Sequence, residues 1–164
     1  MATNTDFDGD NPTNQPSQPI EDRFRIAWAA ALISALDSDL PVEVKAPVLR
    51  ACAAVHYEDA NMDSIVARFQ DDLDGFLQFL TDQWGWLITY DPAAGTITAD
   101  ENKPYCVCPL VQKSPQAVSG TLCFCSEGFA ERMFSAVVGR PVKATVVQSV
   151  LRGAGSCIYS IQVS

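Results

Sequence analysis

Trp86-Leu-Ile-Thr-Tyr-Asp-Pro-Ala-Ala-Gly-Thr-Ile-Thr-Ala99 is the stretch on which the fold turns. Before it, apolar residues recur every three or four positions, the period of a helix; within it they alternate, the period of a strand. The alternation is broken by Asp91-Pro-Ala-Ala-Gly95, a run rich in turn residues, so the segment predicts a β-hairpin with a five-residue turn.

Reading back from Trp84, three helices are expected. The first runs from Glu21 to about Asp39-Leu40-Pro41, with Phe24, Ala27, Trp28, Ala31, Leu32 and Ala35 on its apolar stripe. A second begins near Pro47 and carries Val48, Cys52 and Val55. A third spans about Asn61 to Gln83 and turns Ile65, Phe69, Leu73, Phe76 and Leu80 inward, with Gly75 as a weak point. Residues 1–19 hold polar residues and prolines with almost nothing apolar, the composition of a disordered tail.

Reading forward, Ser126 is placed to cap a helix through Phe129, Met133, Phe134 and Val137, stopped by Gly139 with Pro141 just past it. Val142 to Leu151 and Cys157 to Val163 alternate around Arg152-Gly-Ala-Gly-Ser156, a second hairpin. Helices come first and strands fall in hairpins. The expected class is therefore α+β, N-terminal helices followed by a hairpin-helix-hairpin antiparallel sheet, in one domain over 20–164.

A chain of 164 residues, 48% hydrophobic, can bury a core without disulfide staples. A formal net charge of −9 opposes binding to nucleic-acid phosphates or anionic lipid, and no helix-turn-helix pattern stands out. The start lacks the basic and apolar regions of a signal peptide, and no run is long enough to span a membrane, so a cytoplasmic setting with reduced thiols is expected. The six cysteines then need another explanation.

Five lie in the C-terminal half, 84–164. Cys106 and Cys108 are two apart, as are Cys123 and Cys125, and on extended backbone such pairs point to one side. With Cys157 they form a soft ligand set suited to zinc or an iron–sulfur cluster. Cys125 has a second reading: just before a helix N-terminus its thiolate would be stabilised, as a nucleophile or redox thiol needs. The third is burial, since free cysteine packs as a small hydrophobe. Cys52 and the single histidine, His56, stand four apart on a predicted helix face and suit a Cys–His nucleophile and base, with Glu58 or Asp59 as the orienting group.

Other features weigh less. Asp71, Asp72 and Asp74 suit a solvated face. Trp84, Trp86 and Tyr90, with Phe69, Phe76 and Phe79 near them, suit either core or the wall of an apolar pocket.

Taken together, Cys108-Pro109, Leu122-Cys-Phe-Cys-Ser-Glu-Gly-Phe129, Phe134, Gly139-Arg-Pro-Val142, Ser149-Val-Leu-Arg-Gly153 and Cys157-Ile-Tyr-Ser-Ile161 resemble a broad superfamily. It includes the 4-vinyl reductase type of small-molecule-binding domain, L-2-amino-thiazoline-4-carboxylate hydrolase-like proteins, and cysteine-containing sensor domains of some bacterial and archaeal regulators. The resemblance covers about 84–164, and also touches Arg50-Ala-Cys52. It implies either a zinc or iron–sulfur site on Cys108, Cys123 or Cys125, and Cys157, or a pocket for a small substrate at the same positions. This chain adds Cys106 and a doubled Cys123/Cys125.

The expectation is a module that holds a thiolate-ligated metal beside an apolar pocket and recognises a small ligand or redox state. The alternative is a hydrolase of small cyclic compounds, with Cys125 or Cys52 as nucleophile and His56 as proton carrier. A small-molecule ligand or substrate is the expected partner, with no nucleic acid and no membrane, and a homodimer is open.

Overall fold

The computed structural model describes residues 20–163; the expected tail, residues 1–19, lies outside them. The hairpin forms where expected, with a turn one residue shorter than read because Asp91 pairs with Thr96. Strand β1, Leu87–Asp91, pairs antiparallel with β2, Thr96–Asp100, and the Asp91 carboxylate accepts from the amides of Ala93 and Ala94 to hold the turn. Strands β3, Lys143–Gln148, and β4, Ile158–Gln162, complete a four-stranded antiparallel sheet of order β1-β2-β4-β3. The fold is α+β, with the helices ahead of the sheet apart from those that separate its two strand pairs.

One face of the sheet is buried. Ile97, Ala99, Ala144, Val146, Tyr159 and Ile161 alternate with exposed or half-buried neighbours and pack against helix α6, Cys123–Val138, which contributes Ala130, Met133, Phe134 and Val137. Gly139, at φ +67°, ends α6 in the left-handed conformation that a side chain would strain.

Edge strand β3 is tied to this helix. Glu127 Oε1 accepts from the Val146 amide at 3.0 Å, and Glu131 Oε1 from the Ala144 amide at 3.3 Å. Residues four apart on a helix advance about as far as residues two apart on a strand, so the two carboxylates match two successive amides of the edge. Glu127 Oε2 also accepts from Arg50 Nη2 at 2.5 Å, on helix α2, Val42–Asp59. α2 crosses α6 so closely that a Cβ on Gly128 would lie 2.4 Å from the Arg50 carbonyl oxygen.

The N-terminal helices differ from expectation in three respects. Helix α1, Ile20–Asp39, buries Ala30 and Ile33, whereas Phe24, Trp28 and Leu32 of the expected stripe are exposed. α2 starts five residues before Pro47 and buries Lys45, Ala46, Leu49, Ala53 and Tyr57, leaving Val48, Cys52 and Val55 outside. Pro47, inside α2, gives up one intrahelical donor and its ring crowds the preceding turn, a cost that the close packing of α2 on α6 offsets.

The third expected helix is two. α3, Met62–Val66, runs into a 3-10 turn, Ala67–Phe69, before Asp71 at φ +58° breaks the chain and Asp72 caps α4, Leu73–Trp84, by accepting from the Gly75 amide at 3.0 Å. The inward residues Phe76 and Leu80 are as read, while Ile65, Phe69 and Leu73 pack at the core margin. Asp72 of the acidic run is thus a helix cap. Among the described residues, no helix is long and apolar enough to cross a membrane.

Candidate functional site: a cysteine-walled apolar cavity

Where α2, the end of α4, the sheet and the start of α6 meet, a cavity of about 400 Å³ opens. Its apolar lining comprises Trp84 and Trp86, Phe129 and Ala130 of α6, and Leu122, Val146 and Leu151. The Trp86 and Tyr159 rings are near-parallel, with centroids 5.8 Å apart, and Trp84 meets Trp86 edge-on at 5.6 Å. His56 reaches in from α2 and lies against Phe129, ring centroids 4.5 Å apart. Burial pulls the His56 pKa down, against a smaller opposing pull from Asp59, which favours the neutral ring.

A few polar groups interrupt this surface. The Tyr159 hydroxyl donates to Glu101 Oε1 at 2.8 Å, and both residues are buried. Glu101 owes its position to period two. It continues the inward series Ile97, Ala99 beyond the end of β2, and its amide donates to the Cys157 carbonyl at 2.9 Å as though the strand went on. Next along the chain, Asn102 turns at φ +55°, and Lys103 Nζ donates to the Trp84 carbonyl at 2.6 Å, fastening this loop to the end of α4.

Burial pushes the Glu101 carboxyl above its usual range, with Tyr159 and Lys103 pulling the other way. Burial and the neighbouring Glu101 push Tyr159 well above its own. The pair is therefore a hydrogen-bonding fixture in a low-dielectric wall. Ser126 and Ser149 also line the cavity. The pairing of β3 with β4 shifts register between Val146 and Gln148, just past the cavity-lining Val146.

The predicted cysteines divide. Cys106, Cys108, Cys123 and Cys157 all line this cavity, whereas Cys125 packs with Leu122, Ile33 and Leu49 in a second apolar cluster, and Cys52 is exposed on α2. The pairing of Cys123 with Cys125 is corrected: α6 begins at Cys123, not at a Ser126 cap, and residues two apart on a helix point to different sides. The cap lies further back, where the Ser119 side chain accepts from the Thr121 amide ahead of the 3-10 turn Gly120–Leu122. Cys106 and Cys108 lie on the loop before helix α5, Pro109–Lys113.

Among the described residues no three His, Cys, Asp or Glu side chains are grouped to hold a metal ion. The Cys123 thiol donates instead to Ser149 Oγ at 3.2 Å, with Ser149 wholly buried. Burial pushes Cys106 up to about 11 and raises Cys108 and Cys157 too, which favours the neutral thiol at each.

Nor does the structure assemble a Cys–His pair. Burial drives the Cys125 thiol up to about 12, the reverse of the thiolate stabilisation expected at a helix start. Among the described residues no cysteine is hydrogen-bonded to His56. Of the aromatic residues singled out in the sequence, Trp84 and Trp86 line the cavity, whereas Phe69, Phe76 and Phe79 form an aromatic cluster beside it.

No family model matches the chain, and no curated protein matches it. Among solved structures it is similar to the phenol-responsive sensory domain of the transcription activator PoxR with phenol, at 15% identity and a TM-score of 0.45, over 84% of this chain and 74% of that one.

Proposed function

We propose that this chain is a binding module for a small, uncharged, mainly apolar ligand of about ring size that carries one hydrogen-bonding group. The carrying observation is the cavity itself, with aromatic, aliphatic and thiol walls and a buried Tyr159–Glu101 hydrogen bond among its few polar groups. Pockets of a few hundred Å³ with mostly apolar walls and few converging polar groups are the usual form of small-molecule sites. The thiols belong to the apolar surface in this reading, since a neutral thiol is a soft, polarisable contact for a ring.

The ligand is uncharged because Lys103 Nζ is committed to the Trp84 and Glu101 carbonyls and burial disfavours the charged form of Glu101, so a fixed charge would lose its hydration without gaining a free counter-ion. Its polar group is one that both donates and accepts, such as a hydroxyl, because Tyr159 occupies the first Glu101 oxygen and the second accepts when the carboxyl is ionised and donates when burial keeps it protonated. The likeness of the C-terminal text to small-molecule-binding domains agrees with this reading.

The test is a thermal-shift panel on the full chain, with neutral one-ring alcohols beside carboxylate and ammonium analogues of the same size. Stabilisation by neutral donors alone supports the proposal. Equal or greater stabilisation by the charged analogues would overturn the ligand class, and no stabilisation by any of them would overturn the binding role.

A further inference from the structure

Helix α1 carries apolar residues on two opposite sides. Ile26, Ala30, Ile33 and Leu36 face the domain, where Ala30 and Ile33 are buried. On the far side Phe24, Trp28 and Leu32 are 67%, 59% and 43% exposed, and Ala31 and Ala35 between them are exposed too. A helix that is apolar all round belongs between two partners, and within the described residues α1 is packed on one side only.

We propose that this outer face of α1 docks antiparallel against the same face of a second copy of this chain, in a two-fold homodimer. The order of residue sizes selects this occupant. A two-fold centre between Ala29 and Ala30 sets Phe24 opposite Ala35, Trp28 opposite Ala31, and Leu32 opposite Ala27, large against small in every case. Such alternation lets two helices approach and interdigitate without voids. A parallel copy would instead oppose Trp28 to Trp28 and Ala31 to Ala31. The same antiparallel register places Arg25 beside Ser34, so no like charges meet there.

The area is sufficient. The outer face offers about 500 Å² of apolar surface per copy, hence about 1,000 Å² in the pair, which reaches the lower bound for a specific interface. Other occupants suit it less. Residues 1–19 contain only Met1, Ala2 and Phe7 as hydrophobic residues, so they offer no matching stripe. The net charge of −9 opposes an anionic membrane.

The experiment is sedimentation equilibrium on the full chain over a micromolar concentration series. Twice the monomer mass is expected, reverting to monomer in Trp28→Asp with an unchanged far-ultraviolet dichroism spectrum. Both that site and Leu32 are exposed, so Leu32→Asp serves as an independent second variant. Register is tested by exchange: Trp28→Ala and Ala31→Trp should each weaken dimerisation at least tenfold, and the double variant should restore most of it. A monomer at about 100 µM, or a dimer indifferent to Trp28→Asp and Leu32→Asp, would overturn the interface. Failure of the double variant to recover would overturn the antiparallel arrangement.

Discussion

Tyr159 and Glu101 lie on neighbouring strand lines and meet in the cavity wall, hydroxyl to carboxyl at 2.8 Å, each only 5% exposed. Nothing else in that wall offers a ligand so strong an acceptor with so little water around it. The pair gives an otherwise apolar space its polarity and direction, which is why the proposed function rests on it.

The buried carboxyl makes stability depend on pH in a defined direction. Glu101 has its pKa raised by burial, so the folded state holds its proton more tightly than the unfolded chain does. Its contribution is fully present below the ordinary carboxylate pKa and is lost as pH rises through the raised one. Glu101→Gln keeps an acceptor for Tyr159 and removes the charge. Melting curves should therefore show the variant more stable than the parent at pH 7.5, with the gap closing below about pH 4.5. A gap that stayed constant with pH would show that Glu101 is not titrating in the wall.

Gly128 tests the close approach of α2 and α6. Alanine is ordinarily better than glycine inside a helix by about 1 kcal/mol. Here the added methyl meets the Arg50 backbone at 2.4 Å, and the two helices must separate. Gly128→Ala should reverse the ordinary sign and lower unfolding free energy by about 1–3 kcal/mol in urea titrations. A stabilised variant would mean that the helices move apart at little cost.

The Arg50–Glu127 pair makes a separate prediction. Glu127 is 2% exposed, and its charge is balanced by Arg50 while it also accepts from the edge-strand amide of Val146. Arg50→Ala leaves that carboxylate buried without its cation and should cost about 3–5 kcal/mol. Glu127→Ala additionally uncovers the Val146 amide on the outer edge, and light scattering should report faster aggregation than in Arg50→Ala. Equal aggregation of the two variants would argue against edge protection.

Thiol kinetics separate the cysteines. Cys52 is exposed, whereas burial pushes Cys106 up to about 11 and Cys125 up to about 12. With a coloured disulfide reagent at pH 8, one fast thiol is expected, removed by Cys52→Ser, with Cys125 among the slowest. A fast phase removed by Cys125→Ser would restore its candidacy as a nucleophile.

Much of the fold could be read from period alone. The change from helical to alternating spacing at Trp84–Trp86 located the start of the sheet, and Gly139 located the end of α6, because these signals are local. The faces of α1 and α2 were not legible. α1 has two apolar stripes, and the one with larger residues, Phe24, Trp28 and Leu32, is the exposed one. In α2 the close packing on α6 selects small residues such as Ala46 and Ala53, so the visible valines lie outside.

The site was legible in part. That cysteines gather in the C-terminal half pointed to the right region, but the sulfurs of Cys123 and Cys125 diverge because the 3-10 turn Gly120–Leu122 starts the helix four residues before the expected Ser126 cap would. Glu101 and Tyr159 carry a signal of their own in the sequence. Each sits on the inward phase of its strand, Glu101 after Ile97 and Ala99, Tyr159 before Ile161, and a polar residue in an inward phase marks a buried polar site.

The most direct measurement is calorimetric titration of the full chain with the neutral ring alcohol that stabilises it most, repeated on Tyr159→Phe and Ser126→Phe. One ligand per chain should bind to the parent with a negative heat-capacity change. Tyr159→Phe, which frees Glu101 of its internal donor, should alter affinity by about 1–2 kcal/mol, and Ser126→Phe, which fills the cavity, should abolish binding. Unaltered binding in the filled variant, with its fold intact, would contradict the account.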